Sequence, residues 1–505
     1  MKKSFAIAAG ISCLLLCLFI LQSCNKKNNM GVTVTVTSVS PRSGNSGTFV
    51  TITGTGFVTD TTQESVLMGP INAPIIAASS TQLVVAVPIN KDSASVDSVL
   101  IVVTVQSVII GSGYFTYNNT NVGAGQVTTF AGSGQSGSAD GPAASATFNS
   151  PENGVFDKSG NLYVADFGNN EIRKVTPDGT VSTFAGSTTA GYQDGPAAQA
   201  LFSAPSGLCF DTQGDLYVSD ELNNRIRKID PAGNVTTVAG TGQVGYIYGA
   251  RPALASSFDR PIGIAYDSIS NMLIVADSRN NVIRAISLAD STCTTIAGPI
   301  DGPTDIGSAD ETNGDATING ATFNSPRGIA IYANGTSANE NLFVYVAEYG
   351  NNKIREVVSV GNIYNNLFNQ GTGGQVANVN TYTLAGNAGN QSGFTNGTGS
   401  AASFYGPNSL CFGASSIFGG SGIPLLFIGD ASNHAIRYAQ GAAGSTSGSQ
   451  INFETVTGTG FPGLVNGSYT QAQFEYPDGV AYNPVDGNLY VIEFGNNDIR
   501  KILLH

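Results

Sequence analysis

The chain has two histidines, His434 and His505, and no tryptophan. That leaves little room for a histidine-bound zinc, a Ser-His-Asp triad or a histidine general base. No phosphate-cradling glycine loop and no nucleophile elbow is present either. The chemistry the residue types do permit is of two kinds. Glu152, Asn153, Asn408 and Asp478 are oxygen donors of the type that suits calcium. Phe167, Tyr349 and Phe494, with Tyr192, Tyr246 and Tyr248, are rings able to stack on a sugar or anchor a protein partner.

What positions them is a repeated phrase. LYVADFGNNEIRKV from Leu162 recurs as LYVSDELNNRIRKI from Leu216, LIVADSRNNVIRAI from Leu273, VYVAEYGNNKIREV from Val344, LFIGDASNHAIRYA from Leu426 and LYVIEFGNNDIRKI from Leu489. Each copy is an apolar run ending in an acid, an Asn-centred turn and a second run opening on Ile-Arg, the pattern of an antiparallel hairpin. A shorter run starting at a proline precedes each hairpin, as at Pro151, Pro205, Pro261 and Pro477. Another strand-like run follows most of them, as in VSTFAG and VTTVAG. Four short strands per unit, six times over at irregular spacing, predict blades around an axis rather than a stacked solenoid. The chain stops one strand short of a full blade, while an unclaimed VTTFAG lies at 127–132. Those residues are expected to supply the last blade's outer strand.

The repeat phrase resembles the NHL family over 127–505. The family implies a β-propeller, here of six blades by the six copies, but its members include RNA binders, receptors, lyases and calcium-dependent lactonases, so the fold does not choose a function. Glu152, Asn153, Asn408 and Asp478 are similar in kind to the Glu, Asn, Asn and Asp calcium site of the lactonases. The residues after the inner-strand prolines, Glu152, Ser206, Ile262, Arg327, Asn408 and Asp478, are expected to crowd the mouth of the central channel. By blade topology the Asn-centred turns and the long segments such as 133–151 and 187–205 share one face. In those segments Asp140 and Asp194 precede Gly-Pro-Ala-Ala and read as helix N-caps, with Phe148, Phe202, Phe258, Phe323, Phe404 and Phe474 plugging each helix onto the propeller. The hairpin acids (Asp166, Asp220, Asp277, Glu348, Asp430, Glu493) and arginines (Arg173, Arg227, Arg284, Arg355, Arg437, Arg500) occur in every copy, which favours structural pairs over a ring of ligands. The insertion with Asp301, Asp305, Asp310, Glu311 and Asp315 misses the EF-hand spacing and reads as a solvated loop.

Residues 33–117 read as a separate domain. SPRSG at 40–44, VTITGTGF at 50–57 and the closing GYFTY at 113–117 resemble the IPT/TIG domain, which implies an immunoglobulin-like sandwich used as spacer or binding module. Residues 118–126 form a polar linker. Lys2 and Lys3 precede an apolar run and Leu21-Gln22-Ser23-Cys24, the layout of a lipoprotein signal peptide over 1–23. Cys24 would carry the lipid at the head of a tether, 24–32. Removing 1–23 deletes two lysines and no acid and takes the formal charge from −13 to −15. Such a chain repels phosphate backbones, so nucleic acid is not an expected partner. Cys209, Cys293 and Cys411 lack metal-ligand spacing and read as small core residues.

The expectation is an all-β chain, an immunoglobulin-like sandwich followed by a six-bladed NHL-type β-propeller. It would be lipid-anchored in the envelope, at the outer membrane, and would bind a glycan or protein without catalysis. A calcium-dependent hydrolase or lactonase at the channel mouth, or a structural scaffold, is the alternative.

Overall fold

The structure is a computed structural model. It describes residues 26–27, 33–44, 49–60, 64–68, 71–73, 75–86, 98–105, 108–117, 125–246, 250–299, 306–310, 321–336, 339–361, 379–414, 424–442, 444 and 451–504. Residues 1–23, Cys24, most of the tether and linker, Tyr248, Asp301, Asp305, Glu311, Asp315 and His505 lie outside the described residues. The chain divides into two compact units, Met1–Asn121 and Val122–His505.

The first unit carries two five-stranded sheets. One holds Thr33–Ser40, Phe49–Thr55, Gln82–Ala86 and Ile75–Ala78 with the short Lys26–Lys27; the other holds Val108–Tyr117, Ser98–Val105, Glu64–Met68 and Ile71–Ala73 with Ser43–Gly44. Both contribute to one core, with Ile52 and Leu83 from the first sheet packed among Val66, Ile101 and Val103 from the second. Alternation such as buried Glu64, Val66 and Met68 with half-buried residues between is the period-two pattern of a strand with one face inward.

The second unit is a β-propeller. Its six antiparallel sheets follow the repeat phrase: the sheet around Leu162–Asp166 comes first and the one around Leu489–Glu493 sixth. In each, a proline-led inner strand pairs with the first arm of the hairpin, the two arms pair, and an outer strand completes the sheet. The central strands Leu162–Asp166, Leu216–Asp220 and Leu489–Glu493 are buried at every position, which explains their unbroken apolar runs. Inner strands of successive sheets touch all the way round, and Asn153–Phe156 of the first sheet touches Pro477–Tyr482 of the sixth. Gln126–Ala131 forms the outer strand of that sixth sheet, pairing with Asp498–Leu503 in the register Val127 to Ile502 and Thr129 to Arg500.

The hairpin acids and arginines are structural pairs. The guanidinium–carboxylate contacts run from 2.7 Å at Arg173–Asp166 and Arg227–Asp220 to 3.5 Å at Arg500–Glu493, with both side chains fully buried in every sheet. Each arginine also lies over its plug phenylalanine, 5.0 to 5.3 Å from the ring centroid.

Three expectations about the long segments are corrected here. Among the described residues there is no α-helix in them. The Gly-Pro-Ala-Ala stretch makes a single turn, with the N–H of Ala146 bonded to the carbonyl of Pro142, or a two-residue edge strand such as Gly195–Pro196. Asp140 and Asp194 are not N-caps; each is the second carboxylate of its sheet's arginine, at 2.6 Å from Arg173 and Arg227. Asp310 of the acidic insertion does the same for Arg355, at 2.9 Å, so that part of the loop is bound rather than solvated. In the third sheet a cysteine stands in: Arg284 donates to Cys293 Sγ at 3.3 Å.

The Asn pairs divide their work. The first asparagine ties its turn together, as Asn169 does by donating to Gly137 O and Asp166 Oδ2. The second, in the left-handed conformation, accepts the N–H of the residue before the next sheet's leading proline. Asn170 takes Ala204, Asn224 takes Arg260, Asn281 takes Ser325, Asn352 takes Gly406 and Asn497 takes Ser150, at 2.8 to 3.0 Å. In the fifth sheet His434 Nδ1 accepts from Tyr476 at 3.3 Å. The residues so held, Ser150, Ala204, Arg260 and Tyr476 among them, themselves have positive φ. This is a disfavoured conformation for non-glycine residues before proline, and the clamp helps to hold it.

Candidate functional site

The inner strands all start at the hairpin-tip end of the propeller, so the residue after each leading proline faces the axis there. Glu152, Ser206, Ile262, Arg327, Asn408 and Asp478 do converge, together with Asn153, around one narrow cavity. The free volume between them is about 10 Å3, room for a single water. The six hairpin turns at this end open on Phe167, Glu221, Ser278, Tyr349, Ala431 and Phe494; of these, Glu221 acts on Glu152 and Tyr349 lies against Arg327.

The throat is filled by an arginine among acids. Arg327 donates to Asn408 Oδ1 at 3.3 Å and stacks on Tyr349, 4.0 Å from the ring centroid. Burial pushes Glu152 well above the usual carboxylate range and repulsion from Glu221 adds to it, while Arg327 opposes both. Asp478 is pushed up to about 6 by burial, again against Arg327 and a hydrogen bond from Asn408. Glu221 is raised by burial and restrained by Arg260, whose Nη1 lies 3.5 Å from Glu221 Oε1. Glu152 Oε2 and Arg327 Nε are both buried without a hydrogen-bond partner among the described residues.

The expected calcium set of Glu152, Asn153, Asn408 and Asp478 therefore needs correction. The four residues meet, but around a guanidinium that already supplies the positive charge. Asn408 Oδ1 is turned to Arg327, and Asn153 Oδ1 accepts the N–H of Gly154 at 2.7 Å. Calcium takes six to eight oxygen ligands, and here two carboxylates share the cavity with a guanidinium while both amide oxygens are already engaged. The donor set does not fit the ion.

Asp478 sets a pH dependence whose sign follows from burial. Its folded pKa, about 6, lies above the ordinary 3.8, so the folded chain keeps a proton that the unfolded chain releases. Stability contributed by this group is present in acid and lost as pH climbs from about 4 to about 6. Asp478→Asn is expected to stabilise the protein at pH 7 by on the order of 1 to 3 kcal/mol. Thermal midpoints of the two proteins from pH 4 to 8 check this: the gap should widen with pH, and a constant gap would assign the effect to something other than ionisation.

The aromatic expectations resolve unevenly. Phe167 and Phe494 are half-buried neighbours across the junction of the first and sixth sheets, ring centroids 6.2 Å apart, and Tyr349 is half-buried on Arg327. Of the three, Tyr349 is the one that touches a throat residue. Tyr192 and Tyr246 are committed elsewhere. Tyr192 lies 3.7 Å beneath Arg225 with its hydroxyl 3.0 Å from Thr237 Oγ1, and Tyr246 donates to Pro299 O at 2.8 Å. Tyr405 and Tyr476, 50% and 44% exposed, were not singled out from the sequence. Their signal is position: both fall between the plug phenylalanine and the leading proline, where the chain rises to the tip face. Tyr476 also meets His434 edge to face at 5.1 Å.

With the geometry in hand, comparison with known proteins places both units. Residues 34–122 match the IPT/TIG domain. Residues 103–230 match the Teneurin NHL domain, a match that begins inside the first compact unit. NHL repeat-containing protein 2 of Bos taurus is 32% identical over 141 residues, 26% of this chain and 19% of that protein. The chain thus matches about a fifth of its curated relative. Two solved structures, described as auxiliary nutrient binding proteins of Bacteroides thetaiotaomicron and Bacteroides ovatus, superpose with a TM-score of 0.52 each. They are 15% and 17% identical and cover 93% and 94% of this chain and 97% and 99% of their own. At that identity the likeness is one of fold. The second unit has the β-propeller fold and is similar in part of its length to NHL-repeat proteins.

Proposed function

We propose that this chain is a non-enzymatic envelope lipoprotein that binds a glycan across the hairpin-tip face of a six-bladed propeller, each of the six sheets being one blade. The observation that carries the reading is the plugged throat with Arg327 stacked on Tyr349, beside the half-buried pair Phe167 and Phe494 on hairpin turns at the same end. With room for one water between Glu152, Arg327 and Asp478, a ligand must lie over the rings rather than enter the channel. Aromatic faces beside fixed acceptors and a guanidinium suit a sugar, whose apolar ring face stacks while its hydroxyls find partners. The nutrient-binding description of the two Bacteroides structures points the same way. Lipidation at Cys24 would hold the chain at the outer membrane, with the immunoglobulin-like domain as spacer.

The test is native affinity electrophoresis of the protein from Met30 onward in gels containing a panel of polysaccharides. Retardation by one glycan should weaken on the order of a hundredfold when Phe167, Tyr349 and Phe494 are all replaced by Ala, each ring contributing about 1 kcal/mol. A folded triple variant that binds as the parent does would sink the reading. A protein partner is the second reading, favoured by the exposed Phe461 and Val244, 69% and 65% accessible, on long segments of the same face. Failure across the glycan panel would turn the search to it.

A further inference from the structure

At the opposite end of the propeller, where the first strand turns into the second and the third into the fourth, a cavity of about 480 Å3 opens between the first and second sheets. That is within the usual size of a small-molecule site. Its floor is a three-ring cluster: Tyr163 meets Phe184 and Phe210 edge to face at 4.9 and 5.1 Å. The repeat shows what is unusual about it. Tyr163 is paired across the hairpin with Lys174, as Tyr217 is with Lys228 and Tyr490 with Lys501. In the second sheet the lysine is bound to Asp215 at 2.9 Å and the tyrosine hydroxyl to Asp211 at 3.3 Å. In the sixth, Asp486 takes both, at 2.7 Å each.

The first sheet keeps Asp157, the counterpart of Asp211, but has no acid at the lysine. Asn161 stands where the second sheet has Asp215, and it donates instead to Asp157. Among the described residues Lys174 Nζ has no hydrogen-bond or ion-pair partner; it lies 5.6 Å over the Tyr163 ring. The nearby carboxylates are engaged. Asp157, Asp211 and Asp230 each accept from the N–H groups or side chains of their own turns. Lys158, on the rim, reaches only Thr212 O at 3.3 Å.

We infer that this cavity is a second ligand site, independent of the tip face, which takes a small ring-bearing carboxylate. The ring lies on Tyr163, Phe184 and Phe210, and the carboxylate occupies the place at Lys174 that an aspartate fills in the sister sheets. The contact is a charge-assisted hydrogen bond over an aromatic floor, both of which strengthen in a partly enclosed site.

The test is calorimetric titration of the full chain with phenylacetate, with glucuronate and with phenylacetamide. Phenylacetate or glucuronate should bind at least about tenfold more tightly than the uncharged amide, and which of the two does so tells an aryl acid from a sugar acid. Asn161→Asp, which restores the sister-sheet pairing without removing any ring, should abolish binding with the fold intact; Lys174→Gln should do the same. Leu254→Ala, at an exposed position on the segment that leads into the third sheet, should leave it unchanged. Equal affinity for acid and amide, binding that survives Asn161→Asp, or no binding of either acid at millimolar concentration would each overturn the proposal.

Discussion

Arg227→Ala is expected to lower the stability of the propeller by about 3 to 5 kcal/mol, the cost of leaving a buried carboxylate without its counter-charge. Arg227 is fully buried and donates to Asp220, Asp194 and the carbonyls of Leu201 and Gln193, at 2.6 to 3.1 Å, above the Phe202 ring. Its removal strands Asp220 and loosens the segment that leads into the inner strand. Arg284→Ala is the internal comparison. There the contacts with Asp277, Ser257 O and Cys293 Sγ are 3.3 to 3.4 Å long and one acceptor is sulfur, so the loss should be smaller. Thermal denaturation of both variants ranks them. A larger loss at Arg284, or less than about 1 kcal/mol at Arg227, would mean that these pairs do not hold the sheets as described.

Deleting residues 125–131 is expected to be at least as damaging. The deletion removes Val127 and Ala131 from the core and strips the outer strand from the sixth sheet. Loss of the buried side chains alone should cost at least about 2 kcal/mol. Asp498–Leu503 would then present an unpaired edge, which recruits other chains. Light scattering on a sizing column should show oligomers or aggregate where the parent gives one species, along with a lowered melting point. A monomeric deletion variant that melts with the parent would show that the ring does not depend on this seam.

Much of this architecture could be read from the chain because each repeat unit carries the same local instructions. The Leu-Tyr-Val-Ala-Asp run, the Asn-Asn turn and the Ile-Arg start specify a hairpin six times, and the missing outer run of the sixth unit pointed to 127–132, which the structure forms as the strand Gln126–Ala131. What escaped reading is what depends on partners far away in sequence. Asp140 before Gly-Pro-Ala-Ala has the local look of a helix cap, but a buried guanidinium in need of a second acceptor claims its carboxylate. Asn170 and its counterparts look like turn formers; nothing nearby says that they clasp the backbone of the next sheet. The mouth residues were legible as a set from the proline register. Arg327 was in that set, yet only the structure shows it replacing the expected cation. The free Lys174 becomes conspicuous only beside its paired counterparts Lys228 and Lys501.

The shared sixth sheet also sets a timetable. Gln126–Ala131 is translated before any propeller sheet can form, whereas its partner Asp498–Leu503 comes after every other strand of the propeller. Five sheets can assemble as they emerge, but the ring cannot lock until Asp498–Leu503 has been made. Until then the first strand has no mate, and the nascent chain must be kept from pairing it with a neighbour. A chain interrupted anywhere upstream of Asp498 would therefore be released as an open ring with a live edge, a ready target for quality-control proteolysis.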